Sequence, residues 1–407
     1  MYDHRKLGRE LGLFDSDPLI GAGLPYWLPA GAAIRQALER YIVDVERRAG
    51  YQQVYSPVLG KRELYEISGH WSKYSEDMYP PMEVGGEEVV LRPSLCPHHA
   101  LIFRSRAHSY RELPLRMSEL GGQYRSELSG VLGGLTRVRG MQLNDGHIFC
   151  MLEQVASEVG AALELIQQAH SDLGISASGY VLSLPAKDAV FGDPSSKYVG
   201  DAASWALAAE LLREVLDKAG LPYSEEPGEA AFYGPKIDIQ IKDSAGRESS
   251  LSTIQIDFHQ PAAFGLEYIG ADGNKHRPVM VHRAIVGSIE RAVAHLIEVH
   301  GGAFPAWLAP VQVVVLPISA AEEKAASDVL RLARDLGLRA ELAYADEGSL
   351  GARIRENRLV PHQAVIGARE AAAGEVALRD RDGTRHAAAP AGVVLRNLAE
   401  LADPLRR

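Results

Sequence analysis

Residues 300–310, HGGAFPAWLAP, split this 407-residue chain into two parts with different hydrophobic patterns, and the split limits the possible folds more than any single motif. Glycine and proline there interrupt helix and strand alike. Beyond the break the pattern is regular. VQVVVLPI reads as a buried strand, 320–337 as a helix, LRAELAYA as a strand, 350–357 as a short helix, HQAVIG and EVALRD as strands, and 392–401 as a terminal helix. This alternation predicts an α/β domain over 304–407 whose sheet is covered on both faces. The alanine runs 371–373 and 387–389 read as loops.

Before the break the order is irregular. Ile34, Leu38, Ile42 and Val45 recur at helical spacing with charges between them, and Gly50 after Arg47 and Arg48 marks a stop. YQQVYSPVL reads as a strand ended by Pro57. Strand-like runs follow at 88–91, 115–125, 137–150, 236–242 and 250–258, with helical runs at 152–173 and 202–219. Such a mixture predicts an α+β domain over 1–303, built on a largely antiparallel sheet.

Composition narrows the function classes. No run of about eighteen apolar residues is present, and the N-terminal MYDHRKLGRELGLF lacks the order of a signal peptide, so the expected address is cytoplasmic, with no membrane partner. Two cysteines, Cys96 and Cys150, cannot form a disulfide framework. A net charge of −10 argues against a basic coat for non-specific nucleic-acid binding. Basic and acidic residues balance after Pro310, so a polyanion would be repelled less there.

Four segments carry chemically capable residues. YRSEL sets Arg125 and Glu127 two apart, on one face if the segment is a strand; a guanidinium forks onto phosphate or carboxylate, and a carboxylate accepts from an amine. RVRGMQLNDGHIFC holds Arg137 and Arg139 before an Asp145/His147 pair with the same spacing. LRPSLCPHH contains Cys96, His98 and His99, and VMVHRAIVGSIER contains His282, Arg283, Glu290 and Arg291. None of these has the close ligand spacing of a structural zinc finger. Read alone, a surface ion pair and satisfied core histidines explain them better than a site does.

DHRKLGRELGLF, SGHWSKYSEDMY, LRPSLCPHHALIF, RVRGMQLNDGHIFC, FYGPKIDIQIKD, STIQIDF, VHRAIVGSIERAV and LGARIREN together resemble, in order and over essentially the whole chain, the threonyl-tRNA synthetases, a family of class II aminoacyl-tRNA synthetases. The resemblance implies a class II catalytic domain with an antiparallel sheet followed by an α/β anticodon-binding domain. It implies a threonine–tRNA ligase that uses ATP with Mg2+, L-threonine and tRNA(Thr), with Pro57 at a homodimer interface. Arg125 would hold the α-phosphate and carboxylate, and Arg137 and Arg291 the γ-phosphate end. Glu127 would accept from the adenine amine, Arg291 would stack on adenine, and His70 would assist proton transfer in the second step. Cys96, His147 and His282 match the family's zinc ligands, leaving one position for the amine and hydroxyl of threonine, so that valine is rejected. Asp145 would accept from that hydroxyl; Tyr233, Lys236 and Gln255 resemble further pocket residues, Lys236 in a catalytic role. Glu370 and Arg379 fall where the family reads the anticodon. Cys150 reads as packing.

Typical bacterial members carry an N-terminal editing domain that this sequence does not contain, so the chain is expected to mischarge serine unless the active site hydrolyses the error. It departs from the family at Met141 for phenylalanine, Leu143 for glutamine, Asn144 for aspartate, Ser94 for methionine and His98 for glycine. A specialised paralogue, insensitive to an inhibitor or using another β-hydroxy amino acid, and a non-catalytic tRNA-binding regulator therefore stand as alternatives. Retention of the arginines and metal-ligand types weighs against the regulator.

Overall fold

The computed structural model describes residues 2–193 and 195–406. The chain forms two compact units, one from residues 16–25 and 42–295, the other from residues 2–15, 26–41 and 296–406.

The first unit is built on one eight-stranded sheet. In chain order its strands are β1 (Gln52–Gln53), β2 (Leu115–Tyr124), β3 (Gly140–Cys150), β4 (Gly179–Leu184), β5 (Tyr223–Pro227), β6 (Lys236–Lys242), β7 (Glu248–Asp257) and β8 (Val279–Ala284). They lie in the order β5-β4-β6-β7-β8-β3-β2-β1, antiparallel except for the two outermost pairs. Helices α1 (Pro29–Arg48), α2 (His70–Tyr74), α3 (Cys96–Arg104), α4 (Val155–Leu173), α5 (Ala202–Lys218) and α6 (Ile289–His300) accompany this part of the chain, the unit boundaries falling within α1 and α6. The apolar positions of α1 are buried as its periodicity predicts, and Gly50, with φ of +82°, follows it in the turn.

The sheet's register creates the site. Lys236 on β6 pairs with Gln255 on β7, Gln255 with His282 on β8, His282 with His147 on β3, and His147 with Met117 on β2. Directly opposed residues share a face, so this row of side chains points to one side of the sheet. Alternation along β3 puts Met141, Leu143 and Asp145 on that side with His147, and Asn144 and Gly146 on the other.

The second unit carries β9 (Val313–Pro317), β10 (Ala340–Leu342), β11 (His362–Ile366), β12 (Glu375–Asp380) and β13 (Ala389–Pro390), ordered β10-β9-β11-β12-β13, with α7 (Glu323–Asp335), α8 (Leu350–Glu356), α9 (Ala368–Ala373) and α10 (Ala391–Leu401). Val313 and Val315 pack with Ala326 of α7 and Leu395 of α10, while Val314 and Leu316 pack with Leu350 and Ile354 of α8. Both faces are covered, as expected of so apolar a strand.

Several local expectations differ from what forms. YQQVYSPVL is not one strand: β1 stops at Gln53, and a separate strand, Leu59–Lys61, starts after Pro57, which has no N–H to give a ladder. Residues 371–373 end α9 and are not a loop; Gly374, with φ of +66°, supplies the left-handed turn that stops the helix. Phe304, Trp307 and Leu308 are buried, so the 300–310 break is packed chain and not a free linker. Strand β2 ends at Tyr124, before Arg125 and Glu127, and β3 begins at Gly140, after Arg137 and Arg139.

Candidate active site

Cys96 opens α3, His147 lies on β3 and His282 on β8, and one donor atom from each falls within 4.8 Å of the other two. All three residues are buried. His147 Nε2 and His282 Nδ1 approach to 2.9 Å. Burial pushes the Cys96 thiol up, but the His70 and His282 imidazoles outweigh it and bring it down to about 5. Burial, with His282 and His99 beside it, holds His147 well below its ordinary value and therefore neutral.

The outer ring nitrogens are also held. His282 Nε2 lies 3.0 Å from Asp257 Oδ2, and Asp257 is fixed by the His259 and Gln260 amides. His147 Nδ1 lies 2.7 Å from His99 Nδ1, and His99 Nε2 lies 3.2 Å from Glu119 Oε2. Glu119 in turn accepts from Arg92 at 3.1 Å and from the Ser56 hydroxyl at 2.6 Å. A buried thiolate and two imidazoles, each ring fixed from behind, fit Zn2+ by donor type and by the support metal-binding histidines require. Residue reading named His99 without giving it a role and missed Asp257 and Glu119. One signal was available for His99: it lies three residues after Cys96 on α3, on the same helical face.

Burial pushes the Glu119 carboxyl up, but bonds from His99 and Ser56 and the charge of Arg92 bring it down to about 2. Its folded value thus lies below the ordinary 4.5, so its contribution to stability is complete above about pH 4.5 and is lost as pH falls toward 2. The denaturation midpoint should fall across that window, and Glu119→Gln should flatten the fall; equal slopes in the two proteins would contradict it.

Next to the triad lies a cavity of about 260 Å3, lined by Arg125, Met141, Asp145, Tyr233, Lys236, Gln255 and Arg291 together with Cys96 and His282. Burial and the Cys96 thiolate push the Asp145 carboxyl up to about 6, against His99 and His282. The Tyr233 hydroxyl donates to Gln255, and its ring stacks on His282 at 4.8 Å. Lys236 is paired with Asp238, which also accepts from Ser183. Burial lowers Arg291, and the cations Arg125 and Arg137 add to the lowering. Arg291 is aimed by bonds to the Thr136 and Ser250 carbonyls.

His70 lies beside the triad: Nδ1 is 2.8 Å from Ser68 Oγ, and Nε2 is 2.9 Å from Ser94 Oγ and 3.7 Å from Cys96 Sγ. Glu127 is not partnered with Arg125; it accepts from Arg137 at 2.8 Å. Of the departures from family pattern, Ser94, Met141 and Leu143 line the cavity. Asn144 instead donates to Glu46 behind the sheet, and the His98 ring is buried beside the Tyr65 ring. Cys150 is buried and its thiol is raised by burial, which suits packing.

Glu370 and Arg379 lie in the second unit. Glu370, in the first turn of α9, accepts from the Gly367 amide at 3.1 Å and borders a cavity of about 250 Å3. Arg379 is on β12, paired in register with Gln363.

Residues 81–300 match the tRNA synthetase class II core domain (G, H, P, S and T), and residues 312–401 match the anticodon binding domain. A threonine–tRNA ligase of Geobacillus kaustophilus is 50% identical over 382 residues, covering 93% of this chain and 57% of that protein. Threonine–tRNA ligase 1 of Bacillus subtilis is 50% identical over 380 residues, covering 93% and 58%. The chain therefore spans somewhat over half the length of these relatives. Among solved structures, one titled as the RNA binding domain of threonyl-tRNA synthetase from Cryptosporidium parvum superposes with a TM-score of 0.92 at 36% identity, covering 98% of each chain.

Proposed function

We propose, because the chain belongs to the class II aminoacyl-tRNA synthetases and within them to the threonyl-tRNA synthetases, that it is a threonine–tRNA ligase. The observation that carries this reading is the cavity itself, where a Cys/His/His donor set adjoins a pair of arginines, Arg125 and Arg291. The first meets an amine and a hydroxyl; the second meets phosphates.

In the first step the threonine carboxylate attacks the α-phosphorus of ATP and pyrophosphate leaves. Arg125 holds the α-phosphate and carboxylate, while Arg137 and Arg291 hold the γ-phosphate end. The Arg291 plane covers adenine and Met141 packs on the base, a thioether in place of a ring. Glu127, already fixed by Arg137, has lone pairs left to accept from the adenine amine. Asp145 accepts from the threonine hydroxyl, Tyr233 and Gln255 close the amino-acid pocket, and Lys236 adds positive charge beside the reacting groups. In the second step the terminal ribose hydroxyl of tRNA attacks the adenylate carbonyl and AMP leaves; His70 helps the hydroxyl lose its proton.

Cys96, His147 and His282 would hold Zn2+. Bound there, it would supply a Lewis acid that an amine and a β-hydroxyl can both coordinate, which would set threonine apart from valine. Mg2+ carried by ATP supplies charge neutralisation between the phosphates. We further assign residues 1–303 to catalysis and 304–407 to anticodon binding, the assembly to a homodimer through the Pro57 region, and the reaction to the cytoplasm.

Pyrophosphate exchange measured with each of the twenty amino acids tests the reading. Threonine-selective, chelator-sensitive exchange is expected, and exchange with none of them would overturn it. Arg379→Ala should leave threonine-dependent exchange intact and weaken tRNA charging by about 1–3 kcal/mol, roughly 5- to 150-fold, if the guanidinium reads a base edge; equal charging by the variant would remove Arg379 from that role.

A further inference from the structure

We propose that Tyr74 is a positioning residue that holds the Arg125 guanidinium ready for the α-phosphate without occupying its donors. The inference rests on the reading of Arg125 as a phosphate clamp.

Helix α2 enters the site after Gly69, whose φ of +84° turns the chain sharply. His70 and Tyr74 are four residues apart and share one face of the helix. His70 lies beside Cys96, and the Tyr74 ring centroid lies 5.6 Å from Arg125 Cζ. The same short segment therefore reaches both the metal-ligand corner and the arginine corner of the cavity.

The state of Arg125 gives this contact its meaning. Its backbone amide is fixed on the Arg139 carbonyl at 2.9 Å. Its Nε is buried with no hydrogen-bond partner, and among the described residues the guanidinium has no hydrogen bond; the recorded contact is the Tyr74 ring. Close by, Arg291 is destabilised as a cation by burial first and then by Arg125 and Arg137. Two cations facing one cavity, Arg125 with its donors unspent and Arg291 aimed by carbonyls, favour an incoming anion.

A carboxylate behind Arg125 would hold it too, but it would consume donors and cancel the charge that phosphate needs. An aromatic face attracts the cation through its quadrupole and takes no N–H. Without the ring, a long side chain with no hydrogen bond to hold its guanidinium would regain rotamer freedom and swing out of register. The platform is anchored on both sides: Lys73 Nζ donates to the Ser196 carbonyl at 2.5 Å, and the amide of Ser126, next to Arg125, donates to the Asp77 carbonyl at 2.8 Å.

Calorimetric titration of the full chain with Mg-ATP tests this on wild type, Tyr74→Leu, Tyr74→Phe, Arg125→Met and the Tyr74→Leu/Arg125→Met double variant. Tyr74→Leu should weaken binding about tenfold, and Tyr74→Phe, which keeps the ring, should stay within about twofold. On the Arg125→Met background, which leaves no cation for the ring to hold, Tyr74→Leu should add less than about twofold, because the two act through one contact. Wild-type affinity in Tyr74→Leu, equal losses in Tyr74→Phe and Tyr74→Leu, or additive losses in the double variant would overturn the proposal. Thermal melts of each variant accompany the titrations, with Tyr74→Met replacing any leucine variant that does not fold. Absence of Mg-ATP binding by wild type would overturn the inference and the ligase reading together. Binding without amino-acid-dependent exchange would overturn the ligase reading alone, leaving the double-variant comparison to decide the role of Tyr74.

Discussion

Cys96→Ser should purify with little bound metal and should lose at least about a hundredfold in threonine-dependent pyrophosphate exchange. A serine hydroxyl is not ionised at neutral pH, whereas the Cys96 thiol is held near 5 by the imidazoles around it. The substitution removes the anion among the three donors and leaves two imidazole rings whose nitrogens approach to 2.9 Å. Partners behind the ligands set a lower bound, since losing one such group in metal sites costs about 10- to 100-fold in affinity or activity. Asp257→Asn and Glu119→Gln should fall in that smaller range, and Cys96→Ser beyond it. Elemental analysis and exchange assays on the three proteins check the order. Full metal content in Cys96→Ser would remove Cys96 from the ligand set.

Glu46→Ala should cost about 3–5 kcal/mol of stability in the first unit, read as a shift in denaturation midpoint, although it touches nothing in the cavity. The cause lies on the opposite side of the sheet. Glu46 and Arg283 are both fully buried, and Arg283 Nη2 lies 2.7 Å from Glu46 Oε1. The same carboxylate accepts from Asn144 at 2.7 Å and from Gln53 at 2.8 Å, and the Tyr51 ring lies 4.2 Å from the guanidinium. Removing one partner leaves a buried cation uncompensated, which is far worse than never burying the pair. Arg283 also explains Gly146, since a Cβ there would sit 2.4 Å from the guanidinium carbon. Replacing both members of the pair, as in Glu46→Leu with Arg283→Met, should therefore recover much of the loss. An unshifted midpoint in Glu46→Ala would contradict the argument.

That pair also marks what the sequence could not convey. Val45 belongs to the apolar stripe of α1, so Glu46 reads as one of the solvated charges between the stripes, yet its exposure is 0%. Burial of a charge depends on a partner 237 positions away, and periodicity carries no information about partners. Period-two alternation did put Asp145 and His147 on one face before any fold was known. It could not bring His282 and Gln255 into the same row, because that follows from register set by tertiary pairing. Ordered motifs supplied Cys96, His147 and His282 through family resemblance where spacing alone did not. Arg125 and Glu127, expected to share a strand face, fall beyond the end of β2, and Glu127 turns to Arg137 instead. Local rules read the elements well and their ends poorly, since strand ends are decided by what the neighbouring chain offers.

Zinc content measured alongside exchange activity bears most directly on the central claim, that Cys96, His147 and His282 seat one divalent ion at the amino-acid pocket. The expected result is about one zinc per chain, removed by chelator together with threonine-dependent exchange and restored with it on adding zinc. Chelated, metal-free protein that activates threonine at the full rate would contradict the account.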